Sequence, residues 1–247
     1  MDTTLSPALA EAPAAGSGAG QPLIACRDLA RTFGHGTHAV VAVHAVTLTV
    51  APGTRAALTG PSGSGKSTLL HLFAGLESPT GGTLAWPGLG GHPLEQPGRV
   101  GMIFQGPSLL PALSVVENVA LPLQLAGAAT TAAHRVAAQA LDSLGIADLG
   151  NSLPEQISGG QAQRVAIARA LASQPSLILA DEPTGQLDHV TAAVVLDVLL
   201  RACDELGAAL IVSTHDPIIA ARLPQHWAMS DGTLAPATSN IASGDTP

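Results

Sequence analysis

Tyrosine is absent from this 247-residue chain, lysine occurs once, and aromatic residues make up 2% of the total. Charge is also sparse: 11% of residues are charged, and ten basic side chains face 18 acids for a formal charge of −8. With no basic stripe and almost no stacking platforms, the chain lacks the electrostatic and aromatic footprint of a nucleic-acid binder, which excludes that partner class. Cysteine is equally short. Cys26 and Cys203 lie far apart and fit neither a disulfide framework nor a zinc site, as suits a reducing cytoplasm. The nine histidines show no metal-ligand spacing. Long apolar runs are missing too. A membrane span takes about 20 consecutive apolar residues, and the least charged stretch, Val100 to Thr131, is interrupted by Pro107, Pro111 and Pro122. No Lys or Arg precedes Arg27, so the positive n-region of a signal peptide is lacking. If this protein works at a membrane, a partner must supply the spans.

What is present is a chain long enough for one large domain or two small ones. Residues 1–21 are mostly Ala, Pro, Gly and Ser, and read as a disordered tail; residues 238–247 read as a flexible C-terminal tail. Between them, residues 22–237 alternate short apolar runs with helical patterns. Leu177–Ala180 and Leu210–Ser213 are strand-like, and Val194, Val195, Val198, Leu199 and Ala202 between them follow a helix face. That recurrence predicts an α/β fold with a mainly parallel sheet covered on both faces. Two regions differ. Val40–Val50 alternates as an antiparallel strand exposed on one face would, and residues from about 106 to 158 form a helical insert, clearest over Ala133–Leu144.

The single lysine sits inside Gly60-Pro61-Ser62-Gly63-Ser64-Gly65-Lys66-Ser67-Thr68. This is the pattern of a P-loop, whose backbone N–H groups cradle phosphates while the Ser/Thr hydroxyl meets Mg²⁺. The nine other cations of the Lys/Arg pair are arginines. A compact ammonium on a thin stem fits between terminal phosphates where a planar fork does not. The apolar run Ala56-Ala57-Leu58 precedes the loop, and a helical pattern follows it to Phe73, so a helix N-terminus points at the anion.

A second phosphate-binding signal lies at Ile157-Ser158-Gly159-Gly160-Gln161, which opens a helix ended by Pro175. Paired glycines allow close backbone approach, and Ser158 supplies a cap and a hydroxyl. The P-loop already covers one side of a triphosphate, so a second anion site suggests two molecules sharing one nucleotide. Next comes the apolar run Leu177–Ala180, ending in Asp181 and Glu182. In this Walker-B arrangement the first acid holds Mg²⁺, and the second stands where a general base would activate water.

The order of P-loop, Gln105, S-G-G-Q, Asp-Glu and His215 resembles the nucleotide-binding subunits of ATP-binding cassette (ABC) transporters, over about Leu23 to Leu234. That resemblance implies a P-loop NTPase core, an antiparallel β subdomain and a helical subdomain. It implies ATP and Mg²⁺ as cofactors, with Ser67, Gln105 and Asp181 as metal contacts. Glu182, His215 and Gln105 would be catalytic, and Phe33 would stack on adenine where tyrosine is usual. Ser158, Gly159, Gly160, Gln161 and Asp188 would act in trans across a homodimer. The partner would be a separate integral membrane permease, placing the ATPase peripherally on the cytoplasmic face of the membrane. One departure stands out: Leu89–Gly98 is too short for the charged helix that related subunits often carry before the Gln105 strand.

The phrases Leu109-Leu110-Pro111, Glu117-Asn118-Val119 and Glu182-Pro183-Thr184-Gly185 resemble the bacterial branch that serves lipoprotein release, macrolide or peptide export, and cell-division control. Two functions stay open on these residues. One is an ATPase powering export or extraction of a lipophilic, lipoprotein or peptide substrate. The other is a regulatory ATPase acting through a permease-like partner, in wall-hydrolase control or antibiotic sensing, without net transport. A soluble translation-factor cassette would need two ATPase units, and only one P-loop is present.

Overall fold

The computed structural model describes residues 20–185, 187–235 and 238–239. Residues 1–19 and 240–247, most of the two expected tails, lie outside the described residues.

The chain begins with two long antiparallel strands, β1 (Ile24–Phe33) and β2 (Val40–Val50). They are joined by a short turn and pair in an irregular register. The buried positions of β2 are Val43, Val46 and Val50 rather than every second residue. The strict alternation expected for this strand is broken at Ala45, whose φ of 51° re-phases the pleat as a bulge does. β3 (Arg55–Thr59) leads through the glycine loop into α1 (Lys66–Phe73), and β4 (Gly81–Ala85) returns to pair with β1. The segment 89–98 holds no α-helix, only the end of a 3-10 turn at Pro87–Leu89 and a second at Pro93–Glu95, the latter capped by the His92 ring accepting from Leu94 N–H at 3.3 Å. β5 (Val100–Ile103) then enters the main sheet.

Between β5 and the next strand the described chain is helical: α2 (Val115–Leu125), α3 (Thr130–Ser143) and α4 (Gly159–Ala172). The final third alternates β6 (Leu177–Asp181), α5 (His189–Leu206), β7 (Ala209–Ser213), the short α6 (Pro217–Ala221) and β8 (Gln225–Ser230). Two-residue strands β9 (Thr233–Leu234) and β10 (Thr238–Ser239) both pair antiparallel with β8. Thr238 and Ser239, expected in the flexible tail, are thus part of the sheet, because β8 leaves the edge at Gln225–His226 open to them.

In the large sheet β5, β6, β7, β3 and β8 are neighbours in that order and run parallel. The side-chain period of two sends alternate residues to opposite faces. Ile178 and Ala180 join a cluster with α2–α5, while Leu177 and Leu179 join one with α1 and the antiparallel sheet. Phe73, Leu69, Leu70 and Leu72 of α1 are fully buried in the second cluster. Each such side chain contributes about 1.5–3 kcal/mol of transfer free energy. Both faces are therefore covered, as a parallel sheet requires. Its open end is the edge where strands β3, β5, β6 and β7 deliver their C-termini.

Candidate active site

Four stretches distant in sequence meet at that edge. The first is the loop between β3 and α1. Gly60, Gly63 and Gly65 have φ values of 149°, 78° and 101°. Two of them are also wedged against other elements. A Cβ on Gly60 would lie 2.1 Å from the Met229 carbonyl oxygen, and one on Gly65 would lie 2.0 Å from that of Ala42. The loop is thus gripped between β8 and β2, and glycine is required at both contacts. Lys66, 7% exposed, folds back so that its ammonium donates to the carbonyls of Gly60 at 2.9 Å and Pro61 at 3.0 Å. The Ser64 hydroxyl is buried and, among the described residues, has no hydrogen-bond partner.

The second stretch is the end of β6. Register pairs Asp181 with Ser213 on β7, and the Ser213 hydroxyl donates to Asp181 Oδ1 at 2.5 Å. Glu182 follows in the left-handed region, at φ 45°. Its N–H is held by the Ser213 carbonyl at 3.1 Å and the Ser213 hydroxyl at 3.0 Å. The third stretch is the end of β7, where exposed His215 places Nδ1 3.3 Å from Glu182 Oε2. The fourth is Gln105, just beyond β5.

Together they line a cleft of about 610 Å³ that includes Gly60, Ser62, Gly63, Gly65, Lys66, Ser67, Thr68, Gln105, Glu182 and His215. That volume suits a nucleotide-sized ligand. Asp181 lies behind the cleft wall, buried at the strand end. Ser158 and the helix it opens are elsewhere: the Ser158 hydroxyl accepts from Gln161 N–H at 3.3 Å, while Gln161 Oε1 accepts from Ser158 N–H at 2.8 Å, a reciprocal cap. Asp188 caps α5, accepting from Thr191 N–H at 3.0 Å and the Thr191 hydroxyl at 2.6 Å.

Phe33, the residue expected to stack on adenine, ends β1. It is 37% exposed and not among the residues of the cleft wall; its register partner Val40, with Val41 and Ala42, is. The Arg31 guanidinium covers one face of the Phe33 ring, 4.5 Å from its centroid. Two contributors were not foreseen from the sequence: the β2 residues of the wall and Ser213. The only linear trace of Ser213 is that it ends an apolar strand, as Asp181 does.

The oxygen donors Ser67, Gln105 and Asp181 suit a hard cation such as Mg²⁺. Among the described residues no group of three or more His, Cys, Asp or Glu forms a metal cage. An ion here would therefore take its remaining ligands from nucleotide phosphates and water, as Mg²⁺ does in such sites.

A parallel sheet with a glycine-rich phosphate loop after one strand and paired acids after another defines a P-loop nucleoside triphosphatase. Within that class the chain belongs to the ABC transporter family, whose sequence model matches residues 43–185. An uncharacterized ABC transporter ATP-binding protein of Mycobacterium tuberculosis is 40% identical over 234 residues, covering 92% of this chain and 94% of that protein. The lipoprotein-releasing system ATP-binding protein LolD 2 of Caulobacter vibrioides is 42% identical over 220 residues, covering 86% of this chain and 96% of its own. Among solved structures, the post-hydrolysis dimer of the ATP-binding cassette MJ0796 bound to ADP and Pi superposes with a TM-score of 0.81. That match is at 32% identity and covers 87% of this chain and 98% of the other. The chain is an ABC ATPase of the branch that holds the LolD proteins. Among its described residues no helix is long and apolar enough to cross a membrane.

Proposed function

We propose that this chain is the motor subunit of a membrane complex, and that two copies close head to tail on two ATP molecules. The observation that carries the reading is Glu182. A glutamate held at φ 45° by two bonds to Ser213, beside His215 and facing the phosphate loop, is a strained carboxylate aimed at the cleft. Each γ-phosphate would lie between Lys66 of one subunit and the Ser158–Gly160 helix start of the other. Glu182 would take a proton from the water that attacks the γ-phosphorus, and the bond to the ADP oxygen would break in line. His215 would orient that carboxylate. Gln105 would position the water and, with Ser67 and Asp181, hold Mg²⁺, which when bound neutralises charge developing on the phosphates. The identity to LolD proteins supports a separate permease as partner and a lipoprotein or other lipophilic cargo, with the ATPase docked on the cytoplasmic face.

Glu182→Gln tests the mechanism. The amide keeps the side-chain shape but cannot accept the proton, so with Mg·ATP the variant should elute as a stable dimer in size-exclusion chromatography and hydrolyse little. Elution as a monomer at saturating ATP, or hydrolysis at the wild-type rate, would count against the assignment.

A further inference from the structure

The backbone around Gln105 is held along its length by α4, the helix whose first turn begins at Ser158. Gly101 on β5 lies so close to α4 that a Cβ there would meet the Ala170 carbonyl oxygen at 2.9 Å. Further along, the buried Gln163 donates from Nε2 to the Phe104 carbonyl at 3.4 Å. Past Gln105 the chain turns back, and Arg169 forks across two successive carbonyls, donating to Pro107 at 3.1 Å and Ser108 at 2.9 Å. Ser108 sits at φ 46°, a left-handed position unfavourable for a residue with a Cβ. Such a conformation persists where its surroundings over-determine it. Burial pulls the Arg169 guanidinium below its usual pKa. Satisfying two carbonyls offsets part of that desolvation.

We propose that Arg169 is a positioning residue for hydrolysis, holding the Gly106–Ser108 loop so that Gln105 faces the phosphate cleft. The inference rests on the role given to Gln105 above. The guanidinium is not among the residues that line the phosphate cleft; it acts through the loop backbone. Because α4 also carries the Ser158 cap, the clamp joins the loop serving one nucleotide to the helix start that would serve the other.

Arg169→Lys keeps the positive charge but replaces a two-pronged donor with a point donor that cannot span both carbonyls in the same geometry. ATPase rates, equilibrium binding of a fluorescent ATP analogue and thermal unfolding would be measured on the full chain for Arg169→Lys, Gln105→Ala and the double variant. We expect Arg169→Lys to lower kcat by at least about fivefold while analogue Kd stays within about twofold, because the phosphate loop is untouched. In the double variant kcat should be no lower than in Gln105→Ala alone, since both changes remove one function. Independent, multiplicative losses would overturn the proposal, as would wild-type kcat in Arg169→Lys beside a slow Gln105→Ala. If kcat and binding capacity fall together with the folded fraction, Arg169 is merely structural and the proposal also fails. Wild-type turnover in Gln105→Ala would remove the Gln105 reading itself, and Arg169 with it.

Discussion

Lysine 66 shows how much a single side chain can report. Its ammonium bonds two loop carbonyls, so the loop is shaped around it. Since the sequence holds no other lysine, an amine-acylating reagent can reach only this group and the N-terminus. At 7% exposure it should react slowly. Saturating Mg·ATP should suppress it further, which peptide mass mapping would show; equal labelling with and without nucleotide would refute the phosphate-loop assignment. Lys66→Arg should cost at least about tenfold in binding or turnover, ~1.4 kcal/mol, because the broader head cannot fit the same pair of carbonyls and the phosphates. Full activity in that variant would show that a fork is tolerated there.

At the scale of elements, α2 and the loop before it are built around one buried amide. Asn118 accepts from Leu110 N–H at 2.8 Å and donates to the carbonyls of Leu110, Leu113 and Ser114 at 3.1, 2.9 and 3.1 Å. Ser114 and Glu117 close a capping box, and the Ser114 hydroxyl and N–H hold the Glu117 carboxyl below its ordinary range. The apolar stretch Gly106–Leu125 does not present all its leucines to one side. Leu109 packs against the core, while Leu110 and Leu125 are 46% and 78% exposed. Which leucine turned outward was not legible, because the loop has no periodicity; at Leu110 the bonds from Asn118 fix the backbone. Charged substitutions therefore belong at the outward pair. Leu110→Asp and Leu125→Asp should leave basal ATPase near wild type and abolish co-purification with the permease proposed above. Retained co-purification would place the docking surface elsewhere.

At the scale of the molecule, the sheet separates two apolar clusters, and each contains one of the two cysteines: Cys203 on the helical side, Cys26 on the side of the antiparallel sheet. Burial pushes both thiols up to about 11. At pH 8 the thiolate that reacts with disulfide reagents is therefore scarce in the folded chain, and it returns when unfolding restores the ordinary pKa. The two thiols should react slowly and at one common rate if both clusters melt together, and Mg·ATP should slow both by stabilising the folded form. Rates measured by mass spectrometry that differ between Cys26 and Cys203 would show that the two sides open separately.

Contiguous motifs were decided by sequence alone. A phosphate loop, a capped Ser-Gly-Gly-Gln helix start and an apolar strand ending in two acids are each local demands on backbone conformation, cap chemistry and hydrophobic period. They can be read without knowing what lies beside them. The tertiary structure decided what no local rule contains. Burial on both faces sets the order of β5, β6, β7 and β3, and that order brings Gln105, Glu182 and His215 to the Lys66 loop. Strand register sets Ser213 against Asp181 and so pins Glu182 in its left-handed conformation. An irregular antiparallel pairing puts Val40, not Phe33, in the cleft wall. Partners across a sheet are fixed by packing between segments far apart in the chain, which is why they appear only once the chain is folded.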